Sequence, residues 1–182
     1  DRNIRNALAA KGYLQAFQKV QLSLKRVLEG ENPGLVVDEE HGAWYREMFQ
    51  PGVAAGLLLP SDLAGYRNNP VYISESRYVP PRNAAVRDLM KAYFELLTTE
   101  KNPAARVVLG HYAFVFIHPY LDGNGRMGRF MMNVMAAAGG YPWMVVQMEQ
   151  RDAYMAALEA ASVSGNIVPF ARFLADLVGS TN

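Results

Sequence analysis

The chain carries, from residue 118 to residue 129, the run His118, Pro119, Tyr120, Leu121, Asp122, Gly123, Asn124, Gly125, Arg126, Met127, Gly128 and Arg129. Gly123 and Gly125 permit backbone conformations closed to other residues, and they sit where a loop enters a helix. Unpaired N–H groups can converge there on one anion, which makes a phosphate cradle. Arg126 and Arg129, three apart on the helix that follows, share a face and can bring planar forks to phosphate oxygens. Asp122 offers the hard oxygen that Mg²⁺ prefers, and one carboxylate plus substrate phosphates is the ordinary magnesium arrangement in nucleotide enzymes. His118, with an ordinary pKa of about 6.5, is the group in this cluster able to take a proton from an attacking hydroxyl near neutral pH. The residues together describe phosphoryl or nucleotidyl transfer.

Outward from this run the pattern is helical. Pro103 opens an apolar stretch to Ile117 with the character of a buried helix, and Gly125 to Ala138 continues the run on its other side up to the Gly139–Gly140 stop. Glu149 to Ala161 and Ile167 to Val178 repeat the helical spacing. Toward the amino end, Leu8, Leu14, Phe17, Leu24, Val27 and Leu28 mark an amphipathic helix over 4–28, ended by Gly30 and Pro33. Asp38 caps a second helix stopped by Pro51, and Pro81 opens another to Leu97. Between 65 and 80, Val71, Tyr72 and Ile73 face Tyr78 and Val79 across a polar turn, which predicts a short β-hairpin. The expected fold is all-α, a helical bundle with one small hairpin. Residues 1–34 are expected as a helical segment packing on a core formed by 35–182.

With 182 residues, the chain has the size of one domain. Its 18 basic and 17 acidic residues leave a net charge of +1, so no global field draws it to nucleic acid or to an anionic membrane. No cysteine is present, which removes disulfides, thiolate metal sites and cysteine nucleophiles and fits a cytoplasmic protein. The longest weakly charged stretch, 130–146, is too short and too interrupted to span a bilayer. Residues 1–15 have no secretory pattern. The missing initiator Met points to a domain of a longer protein.

Each residue also has a plainer reading. His118 before Pro119 alone is a turn histidine, and Asp122 before Gly123 an ordinary turn. Two arginines beside a glycine loop have no packing purpose, so the spacing decides for function. Gly123, Gly125 and Gly128 also spell G-x-G-x-x-G, with Glu149 following the strand-like 144–148. A dinucleotide site is disfavoured because His118 to Asp122 separates the apolar run from the glycines and no further βαβ unit follows. His111 and His41 read as satisfied core histidines, and the methionines of 127–135 as core filler.

The run 118–129 resembles the signature of the Fic family, H-x-F-x-D/E-G-N-G-R-x-x-R, with Tyr120 in place of the Phe. The resemblance extends over roughly residues 35–178 and implies a helical bundle with a β-hairpin flap near 65–80. It implies an enzyme that transfers AMP from ATP to a Ser, Thr or Tyr hydroxyl of another protein, with Mg²⁺. By resemblance, His118 is the base and Asp122 the magnesium ligand. Gly123 shapes the loop, Asn124 and Gly125 form the anion hole, and Arg126 and Arg129 hold the β- and γ-phosphates. Val71, Tyr72 and Ile73 resemble the edge on which a target segment docks by strand addition. Tyr154 resembles an adenine-pocket residue in the R-x-x-Y-x-x-A-L segment. Glu29 with Gly30 resembles the end of the family's inhibitory helix, although Lys25 stands at its Ser/Thr position; ordinary helix termination is the preferred reading. Removal of AMP, transfer of another nucleotide or phosphate group, and a non-catalytic nucleotide-binding module are the alternatives. The target protein and any homo-oligomer stay open.

Overall fold

Met127, Phe130, Met131, Met132, Val134, Met135 and Ala136 are all fully buried, so the helix that carries them is apolar on nearly every side and forms the axis of the molecule. The computed structural model describes residues 2–180, which leaves positions 1, 181 and 182 of the two expected segments outside the described residues. The helices are α1 (Arg2–Leu28), α2 (Pro33–Ala54), α3 (Val86–Thr99), α4 (Pro103–Ile117), α5 (Asn124–Ala138), α6 (Arg151–Ser164) and α7 (Val168–Gly179). The central α5 packs against α1, α2 and α4; α3 closes on α2 and α4, and α6 and α7 pair beside α4. The architecture is all-α, and no strand occurs among the described residues. No described helix is long and apolar enough to cross a membrane.

Local chemistry sets the helix ends. Asn32 caps α2, its side-chain oxygen accepting from the N–H groups of Gly34 and Leu35, with Pro33 in the first turn. The helix therefore starts five residues before Asp38, and the proline expected to follow the first helix opens the second. Pro51 lies inside the last turn of α2 instead of stopping it. Asn102 and Pro103 begin α4 in the same manner as Asn32 and Pro33 begin α2.

The buried seam of α1 is Gly12, Ala16, Val20, Ser23 and Val27, whereas Leu14 and Leu28 of the expected stripe are 57% and 71% exposed. Small residues are selected because α1 and α2 touch backbone to backbone: a Cβ on Gly12 would overlap the Met48 carbonyl group. Trp44 Nε1 donates to Ser23 Oγ at 3.3 Å across the same seam.

Two expectations of extended structure need correction. Residues 65–80 form a flap without a β-ladder. Its turn at Ser74 and Glu75 is closed by Ser76 N–H donating to the Ile73 carbonyl, but the arms bond elsewhere. Ser76 Oγ and Arg77 N–H both donate to the Glu159 carboxylate on α6, and Tyr78 Oη donates to the Phe116 carbonyl on α4. An isolated two-stranded ribbon is marginal in water, so these outside partners prevail. Residues 144–148 are likewise not a strand. Asn133 of α5 takes the place of a neighbouring strand, accepting from Met144 N–H at 2.7 Å and donating to its carbonyl at 3.0 Å.

Gly12→Ala is expected to lower unfolding stability by about 1–3 kcal/mol through overpacking, although alanine is the better helix former by about 1 kcal/mol. Urea denaturation checks this; unchanged or increased stability contradicts the close α1–α2 contact.

Candidate active site

The site lies where the C-terminus of α4 meets the N-terminus of α5. His118 ends α4 in the left-handed conformation, with φ 52° and ψ 59°, its N–H donating to the Phe114 carbonyl. The chain then turns through Pro119 to Tyr120, whose ring stacks on Tyr45 at 3.7 Å between centroids and 6° between planes. Asn124 locks this turn. Its side-chain oxygen accepts from Tyr120 N–H at 2.9 Å, and its amide donates to the Tyr120 carbonyl at 2.8 Å.

The Asn124 side chain is thus buried, with both its oxygen and its amide nitrogen bonded to the Tyr120 backbone, and its backbone N–H is the donor left at the helix start. Gly123 takes the positive φ of 80° expected of a loop glycine, and a Cβ there would lie 2.9 Å from the Phe49 ring. Gly125 differs from expectation, being ordinary helix; a Cβ there would make ordinary contact with Arg129 Nη1 at 3.5 Å. Gly128 has a packing role, since its Cβ would come 2.9 Å from Val115 Cγ1 on α4. The first internal hydrogen bond of α5 runs from Met127 N–H to the Gly123 carbonyl, which leaves the preceding amides of Asn124, Gly125 and Arg126 as free donors at the positive end of the helix.

Two cavities adjoin here. A pocket of about 300 Å³ is bounded by Asp122, Gly123, Asn124, Arg126 and their neighbours, and a larger one of about 570 Å³ extends between α6 and the flap. His118, Gly125 and Arg129 border both. The smaller pocket therefore combines free amides with both arginines, and the larger one is walled by Ile73, Tyr78, Met155 and Leu158 among others.

The ring of His118 sits with Nδ1 3.1 Å from the Val115 carbonyl. A carbonyl can only accept, so the neutral ring carries its proton on Nδ1 and keeps the Nε2 lone pair free. Burial holds the pKa of His118 below the ordinary imidazole value, outweighing the Val115 hydrogen bond that raises it. Asp122 is 76% exposed at its side chain; it accepts from Gly123 N–H at 2.6 Å and pairs with Arg126 Nη2 at 3.2 Å. Arg126 also lies over the Phe49 ring at 5.1 Å, so it is pre-positioned on two sides.

Tyr154 borders the larger cavity but is buried, its Oη 2.8 Å from His111 Nε2. His111 is the core histidine expected of it, except that Nδ1 has no hydrogen-bond partner. His41 is held by the Val37 and Asp38 carbonyls and the Tyr66 hydroxyl. Of the flap residues, Ile73 lines the larger cavity while Tyr72 is 79% exposed. Glu29 lies outside both cavities, in the turn just after α1, exposed and 3.9 Å from Lys25 Nζ.

Sequence reasoning missed Glu159, which ties the flap to α6, and Met155, which stands in the cavity wall beside Tyr154. It also missed Arg67, a buried cation beneath the α4–α5 turn. Glu159 and Met155 occupy the face of α6 turned toward the flap, a face that periodicity alone cannot orient.

The Fic/DOC family model matches residues 39–136, more than half of the chain and the whole of this turn. The chain belongs to the Fic/DOC family. It is 36% identical over 178 residues to the protein adenylyltransferase Fic of Drosophila virilis, covering 94% of this chain and 32% of that protein. The Drosophila willistoni protein of the same name is 36% identical over 130 residues, 69% of this chain and 26% of its own length. This Fic domain thus spans about a quarter to a third of those curated relatives. Among solved structures, Fic-1 from C. elegans superposes with a TM-score of 0.77 at 25% identity, covering 95% of this chain and 48% of that one. A Fic family protein from Desulfovibrio desulfuricans has the same fold, with a TM-score of 0.65 at 23% identity over 92% of this chain and 52% of its own.

Complete burial lowers the pKa of His111 to about 3, so in this Fic domain the ring is neutral when folded. The unfolded chain binds a proton near pH 6.5. Its contribution to stability is complete above pH 6.5 and is lost as pH falls toward 3, which amounts to about 2 kcal/mol between pH 6.5 and 5. In chemical denaturation at pH 7 and pH 5, His111→Gln is expected to remove a loss of that size. An identical pH dependence in both proteins contradicts this origin.

Proposed function

We propose that this Fic domain is a protein adenylyltransferase, transferring AMP from ATP to a Ser, Thr or Tyr hydroxyl of a target protein. The observation that carries this reading is that His118, with a free Nε2 lone pair, borders both the small pocket lined by free amides and arginines and the larger cavity. A nucleotide with its polyphosphate in the first and its nucleoside in the second has its α-phosphorus beside His118. The names of the Drosophila relatives support the same reaction.

In this scheme Nε2 accepts the proton of the target hydroxyl as the oxygen attacks the α-phosphorus, and the bond from that phosphorus to the bridging oxygen breaks. Pyrophosphate leaves against the free amides of Asn124, Gly125 and Arg126 and the guanidiniums of Arg126 and Arg129. Gly123 holds the loop that presents those amides. Tyr154 and Met155 border the nucleoside end, and Val71, Tyr72 and Ile73 offer the flap's outer arm to an extended target segment.

The donor set fits a magnesium ion that arrives with its nucleotide. Asp122 is one exposed carboxylate, no cluster of three or more His, Cys, Asp or Glu side chains suited to a metal occurs among the described residues, and Mg²⁺ is commonly held by one carboxylate plus phosphates. When bound, the ion would neutralise charge on the polyphosphate. Asp122 would turn from Arg126 to the ion, freeing Arg126 for phosphate.

The reading is tested with ATP labelled at the α- or the γ-phosphate. Label from the α-position is expected on protein, and His118→Ala is expected to lower transfer by about 10²–10⁴-fold with the fold intact by circular dichroism. Undiminished transfer, or transfer of the γ-label alone, contradicts it. Because burial lowers the His118 pKa, the acid limb of the pH–rate profile is expected below pH 6.5; a limb well above it contradicts the assignment.

A further inference from the structure

Arg67 is only 3% exposed, yet no described carboxylate lies within ion-pair distance of its side chain. Its partners are carbonyl oxygens. Nε donates to the His118 carbonyl at 2.7 Å, Nη2 to those of Pro81 at 2.6 Å and Ile117 at 3.4 Å, and Nη1 to that of Asn69 at 3.1 Å. Its own backbone N–H donates to the Pro119 carbonyl at 2.8 Å. One side chain thus joins the end of α4, the entry to the flap and the exit from it.

We infer that Arg67 is the positioning residue for His118: its buried guanidinium fixes the left-handed turn that aims the imidazole at the junction of the two cavities. A non-glycine residue in that conformation persists only where its surroundings over-determine it. At His118 the Phe114 carbonyl holds the backbone N–H and Arg67 holds the backbone oxygen. The last carbonyls of α4 have no intrahelical donors and form the negative end of the helix, so a cation there is stabilised without a carboxylate.

The requirement is for a guanidinium rather than any cation. Four carbonyls in different directions match a planar fork with several N–H donors, and an ammonium on a flexible stem cannot hold all of them in one geometry. Arg67 borders neither cavity, so its effect on the reaction passes through His118 and the base of the flap. The same bonds tie the hinge of the flap to the imidazole, since Asn69 and Pro81 bracket the segment that roofs the larger cavity.

This inference rests on the proposed reaction for its kinetic readout and is independent of it for a second. The kinetic test compares the chain with Arg67→Lys and Arg67→Ala in α-label transfer. Displacement of a catalytic group by about 1 Å costs on the order of 100-fold, so kcat is expected to fall by about that factor while KM for ATP changes less than about threefold. Millimolar methylguanidinium is expected to restore Arg67→Ala at least in part, and methylammonium is not. The second test is the ¹⁵N spectrum of histidine-labelled protein at pH 8 without nucleotide, with His118 assigned by its loss in His118→Ala. The parent chain is expected to show the Nδ1–H tautomer alone, and both variants a mixture of tautomers.

Wild-type kcat together with an unchanged tautomer in folded variants overturns the inference, as does a rise in KM with kcat preserved. If the parent chain transfers no label, the adenylyltransferase reading fails while the tautomer spectrum still decides the role of Arg67. If Arg67→Ala does not fold, Arg67→Lys carries both readouts.

Discussion

Three backbone N–H groups with no carbonyl in front of them, those of Asn124, Gly125 and Arg126, are the constraint around which this domain is arranged. Helix formation leaves such donors at every N-terminus, and an N-terminus normally directs them to water or to a capping side chain. Here no side chain caps the helix. The Asn124 amide that would ordinarily serve nearby is turned inward to hold the backbone of Tyr120, so the donors stay available to an anion. The glycine at 123 presents them through its positive φ.

The chemistry then follows from two helix ends meeting. The start of α5 supplies partial positive charge, two arginines and an open pocket; the end of α4 supplies an imidazole whose proton is placed by the Val115 carbonyl. Burial makes that imidazole a weaker base than free histidine but keeps it unprotonated at neutral pH. Rigid surroundings keep the two ends in register. The apolar helix α5 is held by α1, α2 and α4, and the stacked rings of Tyr45 and Tyr120 close the space beneath the loop.

Much of this was legible in the residues themselves. The helices were visible because apolar positions recur at helical spacing, and the dense run at 118–129 marked the candidate site because packing alone, which accounts for Gly128, does not account for a histidine, a carboxylate and two arginines so close together. What escaped was whatever depends on a distant partner. The seam of α1 runs through Gly12 and Ala16 instead of Leu14 and Leu28 because backbone contact with α2 favours small residues. The flap has no ladder because Glu159, far along the chain, takes the donors of Ser76 and Arg77. The inward turn of Asn124 and the carbonyl partners of Arg67 were equally hidden, since both are set by backbone groups whose direction exists only after folding.

The most direct measurement is a crystal structure of the domain with Mg²⁺ and a non-hydrolysable ATP analogue. The expected result is a polyphosphate within hydrogen-bond distance of the Gly125 and Arg126 amides and the Arg129 guanidinium, with the α-phosphorus facing His118 Nε2 and the base between α6 and the flap. Phosphates bound elsewhere, or a nucleotide whose α-phosphorus is turned away from the imidazole, would contradict the arrangement from which the function is drawn.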